Sequence, residues 1–331
     1  MAKRGRKSAD DPDQLLLPFR PLVVKFDNGE VDHVPRINHR DIRSREQGLA
    51  QIDRWHGSKP MLYRTTNLDH SLRVAEITDE LGNLVPDSTQ YDRQLARAAA
   101  KVHDDIEIKI GDIDAGAKTR GTKADHQRIK DLETRAVEEL IVMFDGLYVN
   151  GVRYERALRV SQNLRTAEGQ VAKLADRLDG LCEAAHEYLA GNTGPVKRVT
   201  DGDGKLMHQD RFLDMANNYL LVRLPAEFAK YELWQVMIDA HPDHPFLNLP
   251  KRLRQRRKFA LHTRESIEQP TSLAFYNLWR TLAKRAVGVQ ALVETRQGEY
   301  QPELEVRGYE KPESKNPPSK GYNEIRKKSN K

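Results

Sequence analysis

The chain has 331 residues, 38% hydrophobic and 31% charged, with a mean hydropathy of −0.74, which allows one large domain or two modest ones with a polar surface. No apolar run reaches the roughly 20 residues that a membrane-spanning helix needs, and the single cysteine, Cys182, excludes a disulfide framework or a multi-thiolate zinc site within one chain. The net charge of +6 and pI near 9.2 raise nucleic acid as a partner, although much of the excess lies at the N-terminus, in Lys251-Arg-Leu-Arg-Gln-Arg-Arg-Lys258, and in the ending Arg326-Lys-Lys-Ser-Asn-Lys331.

Residues 1–20 mix charge, Pro and Asp and read as a flexible leader. The start is basic but lacks the apolar core of a secretory signal, so a reducing, cytoplasmic setting is expected. Residues 21–43 are expected to hold a short N-terminal hairpin: 22–25 and 31–34 are strand-like, and Asp27-Asn28-Gly29 between them contains the strongest two-residue turn signal. From about residue 44 the pattern is helical. Residues 69–81 begin at an acidic cap candidate and place Val74, Ile77 and Leu81 on one face, with His70 one turn before Val74. A helix over about 91–109 carries Leu95, Ala98, Ala99, Val102 and Ile106 and ends near Gly111. A charged helix over about 124–144 is striped with Ile129, Leu132, Val137, Leu140 and Ile141. Another spans 171–190 and is stopped by Gly191-Asn192. The Gly- and Asp-rich stretch 194–205 reads as a loop, and helical patterns return at about 208–222, 226–240 and 271–293. Beyond Gly298, Pro, Lys, Ser and Asn dominate. That composition cannot bury a core, so 298–331 is expected to be a disordered tail. The fold class is all-α, with a main unit over 44–240 and a basic helical extension over 241–297.

The chemistry concentrates in Lys101-Val-His-Asp-Asp-Ile-Glu-Ile-Lys-Ile-Gly-Asp112. On a helix, His103, Asp104 and Glu107 fall on adjoining parts of one surface beside Ala99, Val102 and Ile106, where such groups are costly to bury unless paired or bound to a metal. Two further polar residues flank apolar faces. One is His70. The other is Asp176, in Ala172-Lys-Leu-Ala-Asp-Arg-Leu-Asp-Gly-Leu-Cys182, where Leu174, Leu178 and Leu181 mark the buried side and Ala172, Ala175 and Gly180 allow close packing. Taken singly, His70 reads as a cap or a satisfied core group, and Asp176 as paired with Lys173 or Arg177. The ordered set His…His-Asp…Asp over three helices shifts the balance, because two neutral imidazoles and two carboxylates suit a divalent ion such as Mn, Co, Fe, Ni or Zn.

Four blocks in order carry a resemblance: Ile52-Asp-Arg-Trp55; Tyr63-Arg-Thr-Thr-Asn-Leu-Asp-His-Ser-Leu-Arg-Val-Ala75; His103-Asp-Asp-Ile-Glu-Ile-Lys-Ile-Gly-Asp112; and Leu174-Ala-Asp-Arg-Leu-Asp-Gly-Leu-Cys182 running into Leu189-Ala-Gly-Asn192. With them the chain resembles the HD superfamily and, within it, the YfbR-like 5′-deoxynucleotidases, from about residue 51 to 192. The resemblance implies an HD-domain helical bundle with one divalent metal held by His70, His103, Asp104 and Asp176. It implies Arg54 as a phosphate contact, Trp55 beside the sugar, and Glu107 and Asp112 as the carboxylates that handle the attacking water and the leaving 5′-oxygen. Hydrolysis of deoxynucleoside 5′-monophosphates is the implied reaction. Asp179, three residues after Asp176, reads either as a support for the ligands or as solvated.

The chain also departs from the family pattern. Ile110-Gly-Asp-Ile-Asp114 stands where Thr-Gly-Asp-Leu-Pro is usual, and the spacing from Trp55 to His70 is one residue longer. An HD phosphohydrolase acting on deoxynucleoside triphosphates or another nucleotide is the second enzymatic reading; an alarmone hydrolase is disfavoured by Glu107-Ile108 where a Glu-Asp pair is usual. A non-enzymatic reading is a nucleic-acid-associated protein in which Lys251-Arg-Leu-Arg-Gln-Arg-Arg-Lys258, with Phe259, Tyr276 and Trp279, forms a basic aromatic patch. A solvated helix face or a contact with an acidic partner is the simpler account of that segment. A nucleotide substrate and a homodimer complete the expected partners.

Overall fold

The computed structural model describes residues 23–25, 31–33, 44–54, 65–113, 122–189, 197–200, 206–209, 211–247, 270–287, 293–294 and 300–301. The leader at 1–20, Trp55, the basic segment 251–258 and all of the tail except residues 300–301 lie outside them. Helices dominate the described residues, and the strands form two-stranded antiparallel pairs. None of these helices is long and apolar enough to cross a membrane. The first pair, β1 (Val23–Lys25) with β2 (Val31–His33), is the hairpin the sequence predicts.

Helix α1 (Arg45–Ala50) is capped by Ser44, whose Oγ accepts from the Gln47 N–H at 3.2 Å. Helix α2 (Asn67–Gly82) starts two residues before the predicted 69. Its cap is Thr66, and Asp69 is the third helical residue of a capping box. The Thr66 hydroxyl accepts from the Asp69 N–H at 3.2 Å, and the Asp69 carboxylate accepts from the Thr66 N–H at 3.0 Å. Helix α3 (Arg93–Val102) is followed by a turn at 103–106 and the short α4 (Glu107–Ile110). The predicted unbroken helix to about 109 is therefore divided at the His-Asp pair. His103 supplies the reason: its Nδ1–H donates to the Ala100 carbonyl at 2.7 Å, the acceptor an uninterrupted ladder would direct to the Asp104 N–H. The bonds that follow are three residues apart, from Asp105 N to Val102 O and from Glu107 N to Asp104 O, a tightened turn.

Helix α5 (Lys123–Met143) is capped by Thr122. A hairpin that the sequence reading omits follows, β3 (Tyr148–Val149) with β4 (Val152–Arg153), turning on Asn150 at φ 50° and Gly151 at φ 75°. Positive φ at both central residues is what a tight hairpin turn demands. Helix α6 (Tyr154–Ser161), also unpredicted, leads to the long α7 (Ala167–Leu189). Strands β5 (Lys197–Thr200) and β6 (Leu206–Gln209) pair where a loop is predicted over 194–205; Val199 and Thr200 suit a strand, and the Asp-Gly repeat that reads as loop lies between the two. Helix α8 (Arg211–Asn218) passes through a π-helical segment, Tyr219–Arg223, into α9 (Leu224–Lys230), then α10 (Glu232–Ala240) and α11 (Pro270–Val287). Two-residue strands β7 (Val293–Glu294) and β8 (Tyr300–Gln301) form the last pair, so strand stands where helix is predicted at 293.

Helices α2, α3 and α7 pack on one another at the centre. On one side, Val74, Ile77 and Leu81 of α2 and Leu174, Leu178 and Leu181 of α7 meet Trp234 of α10 and Phe275, Tyr276 and Trp279 of α11. On the other, Leu95 and Val102 of α3, with Ile108, meet Ile129 and Leu140 of α5 and Leu158 of α6. Each such side chain contributes about 1.5–3 kcal/mol by leaving water. Tyr276 and Trp279 are buried here, which removes them from the aromatic stacking surface that the nucleic-acid reading requires. His70, His103, Asp104 and Asp176 lie where the three central helices meet.

Candidate metal centre

His70 stands in the first turn of α2 and is fully buried. Its Nδ1–H donates to Asp179 Oδ2 at 2.7 Å, and His103 Nδ1–H donates to the Ala100 carbonyl. With both Nδ1 atoms committed as donors, each neutral ring presents a lone pair on Nε2. The two Nε2 atoms face each other at 3.1 Å. Two Nε2 atoms that close need a proton or a metal ion between them. Two carboxylates complete the set. Asp104 Oδ1 is 3.2 Å from His103 Nε2 and its Oδ2 is 3.4 Å from His70 Nε2. Asp176 Oδ1 is 3.4 Å from His70 Nε2 and 4.0 Å from His103 Nε2. Donors bound to one ion at about 2.0–2.2 Å sit roughly 3 Å apart; the donor types here suit a divalent metal, with Asp104 at the edge of the group. His70, His103 and Asp176 each bring a ligand atom within 4.8 Å of the others.

The electrostatics keep both carboxylates of the cluster ionised. Burial alone would push the Asp176 carboxyl up, but Lys173 and Arg177 outweigh it and hold it well below the usual range; Lys173 Nζ is 2.7 Å and Arg177 Nη1 3.6 Å from its Oδ2. Asp104 is likewise held low against burial by His103, His70 and Arg54. Burial depresses His103. For His70, burial and Arg54 act downward, but the hydrogen bonds with Asp176 and Asp179 prevail and raise it. Arg54 reaches the edge of the cluster, with Nη1 3.5 Å from Asp104 Oδ2, and is anchored by Nε to Glu183 Oε2 at 2.9 Å. Thr65 Oγ1 donates to the other Glu183 oxygen at 2.6 Å, and Arg73 also contacts that oxygen.

Of the remaining predicted site residues, Trp55 lies outside the described residues, Glu107 opens α4 and Asp112 follows it. Asn67, the first residue of α2, donates from Nδ2 to Glu107 Oε2, tying α2 to α4. Asp112 follows Gly111, whose φ of 78° ends α4, and is half-buried. Asp105, the other carboxylate of the His-Asp-Asp run, turns away to accept from Arg45 Nε at 2.8 Å and Nη2 at 2.9 Å.

The sequence reading left Asp179 open between support and solvated, and missed Glu183 and Arg73. Asp179 is fully buried and accepts from His70 and from Arg73 Nε and Nη2 at 2.8 and 2.9 Å. Glu183 and Arg73 belong to the same network. Helical spacing carried the signal: 176, 179 and 183 recur at three and four residues on α7, and Arg73 lies three residues after His70 on α2. His70, Asp179 and Glu183 also group closely enough for an ion, but the Arg73 guanidinium already bridges those two carboxylates.

A search of the curated proteins finds no match. The family model described as 5′-deoxynucleotidase YfbR-like matches residues 46–231, a span that contains all four candidate ligands together with Arg54, Glu107, Asp112 and Asp179. That span is more than half of the 331 residues, and the chain belongs to the YfbR-like 5′-deoxynucleotidase family.

Proposed function

We propose that this chain hydrolyses deoxynucleoside 5′-monophosphates to deoxynucleoside and phosphate, using one divalent transition ion held by His70, His103, Asp104 and Asp176. The observation that carries the reading is the meeting of the His70 and His103 Nε2 atoms at 3.1 Å beside the Asp104 and Asp176 carboxylates. Family membership supplies the reaction class, a phosphohydrolase acting on a nucleotide.

A bound divalent ion would neutralise charge on a phosphoryl oxygen and lower the pKa of a bound water. The chain's own residues do the rest. Arg54, braced by Glu183, meets the phosphate beside Asp104, and Lys173 and Arg177 keep Asp176 ionised. Water oxygen attacks phosphorus and the bond from phosphorus to the 5′-oxygen breaks. Of the two carboxylates Glu107 and Asp112, one takes the water's proton and the other supplies a proton to the leaving oxygen. Asn67 orients Glu107. The family pattern would put Trp55 beside the sugar, where a flat ring would disfavour a 2′-hydroxyl. A cytoplasmic setting, with nucleotides at hand, is part of the same reading.

The test is a panel of ribo- and deoxynucleoside mono- and triphosphates incubated with purified protein and Mn²⁺ or Co²⁺, with phosphate and pyrophosphate measured separately. Phosphate released from deoxynucleoside monophosphates is expected, reduced by about two orders of magnitude or more in Asp104→Asn. No release from any monophosphate would sink the reading, and release from triphosphates alone would move it to the second enzymatic class.

A further inference from the structure

Helix α11 (Pro270–Val287) lies beyond the family match, which ends at residue 231, yet it reaches the back of the metal centre. Trp279 is fully buried, and its indole Nε1–H donates to Asp179 Oδ1 at 2.8 Å. Asp179 is the carboxylate that receives His70 Nδ1–H. A carboxylate offers about four lone-pair positions, and Asp179 fills them in a definite order. Oδ1 takes Arg73 Nε and Trp279 Nε1; Oδ2 takes Arg73 Nη2 and His70 Nδ1.

We propose that Trp279 is a positioning residue for the metal centre, acting through Asp179 to hold the His70 ring with Nε2 toward the ion. The inference rests on the metal reading above. An indole has a single polar atom and can only donate. Here that atom meets the one carboxylate that fixes the orientation and tautomer of a candidate ligand, an arrangement known to tune ligand strength at metal sites. Without Trp279, Oδ1 would keep only Arg73 Nε as a donor, and the carboxylate would be held less tightly at the end opposite His70. Trp279 supplies the second donor. Its ring is itself locked between Tyr276, with centroids 5.7 Å apart and planes 23° from parallel, and His186, at 5.9 Å. The C-terminal helix is therefore part of the site, and not an appendage to a self-sufficient catalytic unit.

The experiment compares Mn²⁺ affinity, by titration calorimetry on the full chain, with thermal stability for three proteins. Trp279→Phe keeps most of the ring volume and removes the donor; its Mn²⁺ Kd is expected to rise by about tenfold, at the low end of what outer partners of metal ligands give. Leu282→Ala loosens the packing of the same helix without touching Asp179, so it is expected to lower Tm while leaving Kd near wild type. Equal Mn²⁺ affinity in Trp279→Phe and wild type overturns the proposal, as does an equal weakening in both variants, which would assign the effect to helix packing. If wild type itself binds neither Mn²⁺ nor Co²⁺, the metal reading fails first and this proposal falls with it, a result distinct from either of the others.

Discussion

Asp104 and Asp105 are adjacent carboxylates with the same chemistry, yet the turn after Val102 sends them in opposite directions. Asp104 stands 3.2 Å from His103 Nε2, while Asp105 is fully buried against Arg45 in a two-point ion pair. Burial pushes the Asp105 carboxyl up and Arg45 offsets only part of that, so its charge depends on that partner. The two Asn substitutions should therefore fail differently. Asp105→Asn removes the buried one of Arg45's two carboxylate partners and leaves only the more exposed Glu46 at 3.0 Å, a loss toward the low end of about 3–5 kcal/mol, read as a lower urea midpoint with Mn²⁺ binding retained in the folded fraction. Asp104→Asn should leave the midpoint within about 1 kcal/mol and abolish tight Mn²⁺ binding. If the two variants show the same pattern, the division of labour between these neighbours is wrong.

At the scale of elements, the close approach of α7 to the π-helical segment rests on one glycine. A Cβ added to Gly180 would lie 2.7 Å from both Cζ and Oη of Tyr219, and that ring is covered on one face by Arg223, 4.6 Å from its centroid. Gly180→Ala should cost about 1–3 kcal/mol through overpacking, measured as a shift in the denaturant midpoint; an unchanged midpoint would mean that the ring moves aside freely. Gly180 was legible in the sequence as a small residue among leucines, because the helical period survives without knowledge of the partner. The same holds for the stripes of α2, α3, α5 and α7 and for the four candidate ligands beside them. The π-helical segment was not legible, since its one-residue offset is defined by hydrogen bonds and not by apolar spacing. The helix break at His103 was hidden for a related reason: a side chain competing for Ala100 leaves the apolar period of 95, 98, 99, 102 and 106 intact. The hairpin at Tyr148–Val149 and Val152–Arg153 was missed despite its Asn150-Gly151 turn, because its two-residue strands are too short to alternate visibly. Trp279 looked like a stacking aromatic because sequence cannot say that α11 folds back onto α2 and α7.

For the molecule as a whole, that return of α11 has a consequence for acid stability. His186 on α7 is buried against α11, with Nδ1 hydrogen-bonded to the Tyr276 hydroxyl. Burial, together with the Arg280 and Arg73 charges, pushes its pKa down to about 3, whereas an unfolded histidine titrates near 6.5. Between those two values the unfolded chain takes up a proton that the folded chain refuses. The contribution of neutral His186 to stability is therefore complete above about pH 6.5, and it is lost as pH falls through the window toward 3, by up to about 1.4 kcal/mol per pH unit. His186→Gln keeps a hydrogen-bonding side chain and cannot titrate. Urea unfolding of wild type and this variant at pH 7.5, 6.5 and 5 should give a stability difference that changes by less than about 0.5 kcal/mol between the first two. It should shift by about 2 kcal/mol in the variant's favour at the third. Curves that stay parallel down to pH 5 would mean that His186 reaches solvent as a cation without unfolding, and that the contact between α7 and α11 opens in acid. Carboxylates elsewhere also titrate toward low pH, but they are common to both proteins and cancel in the difference, which leaves the slope between pH 6.5 and 5 as the signature of this one buried ring.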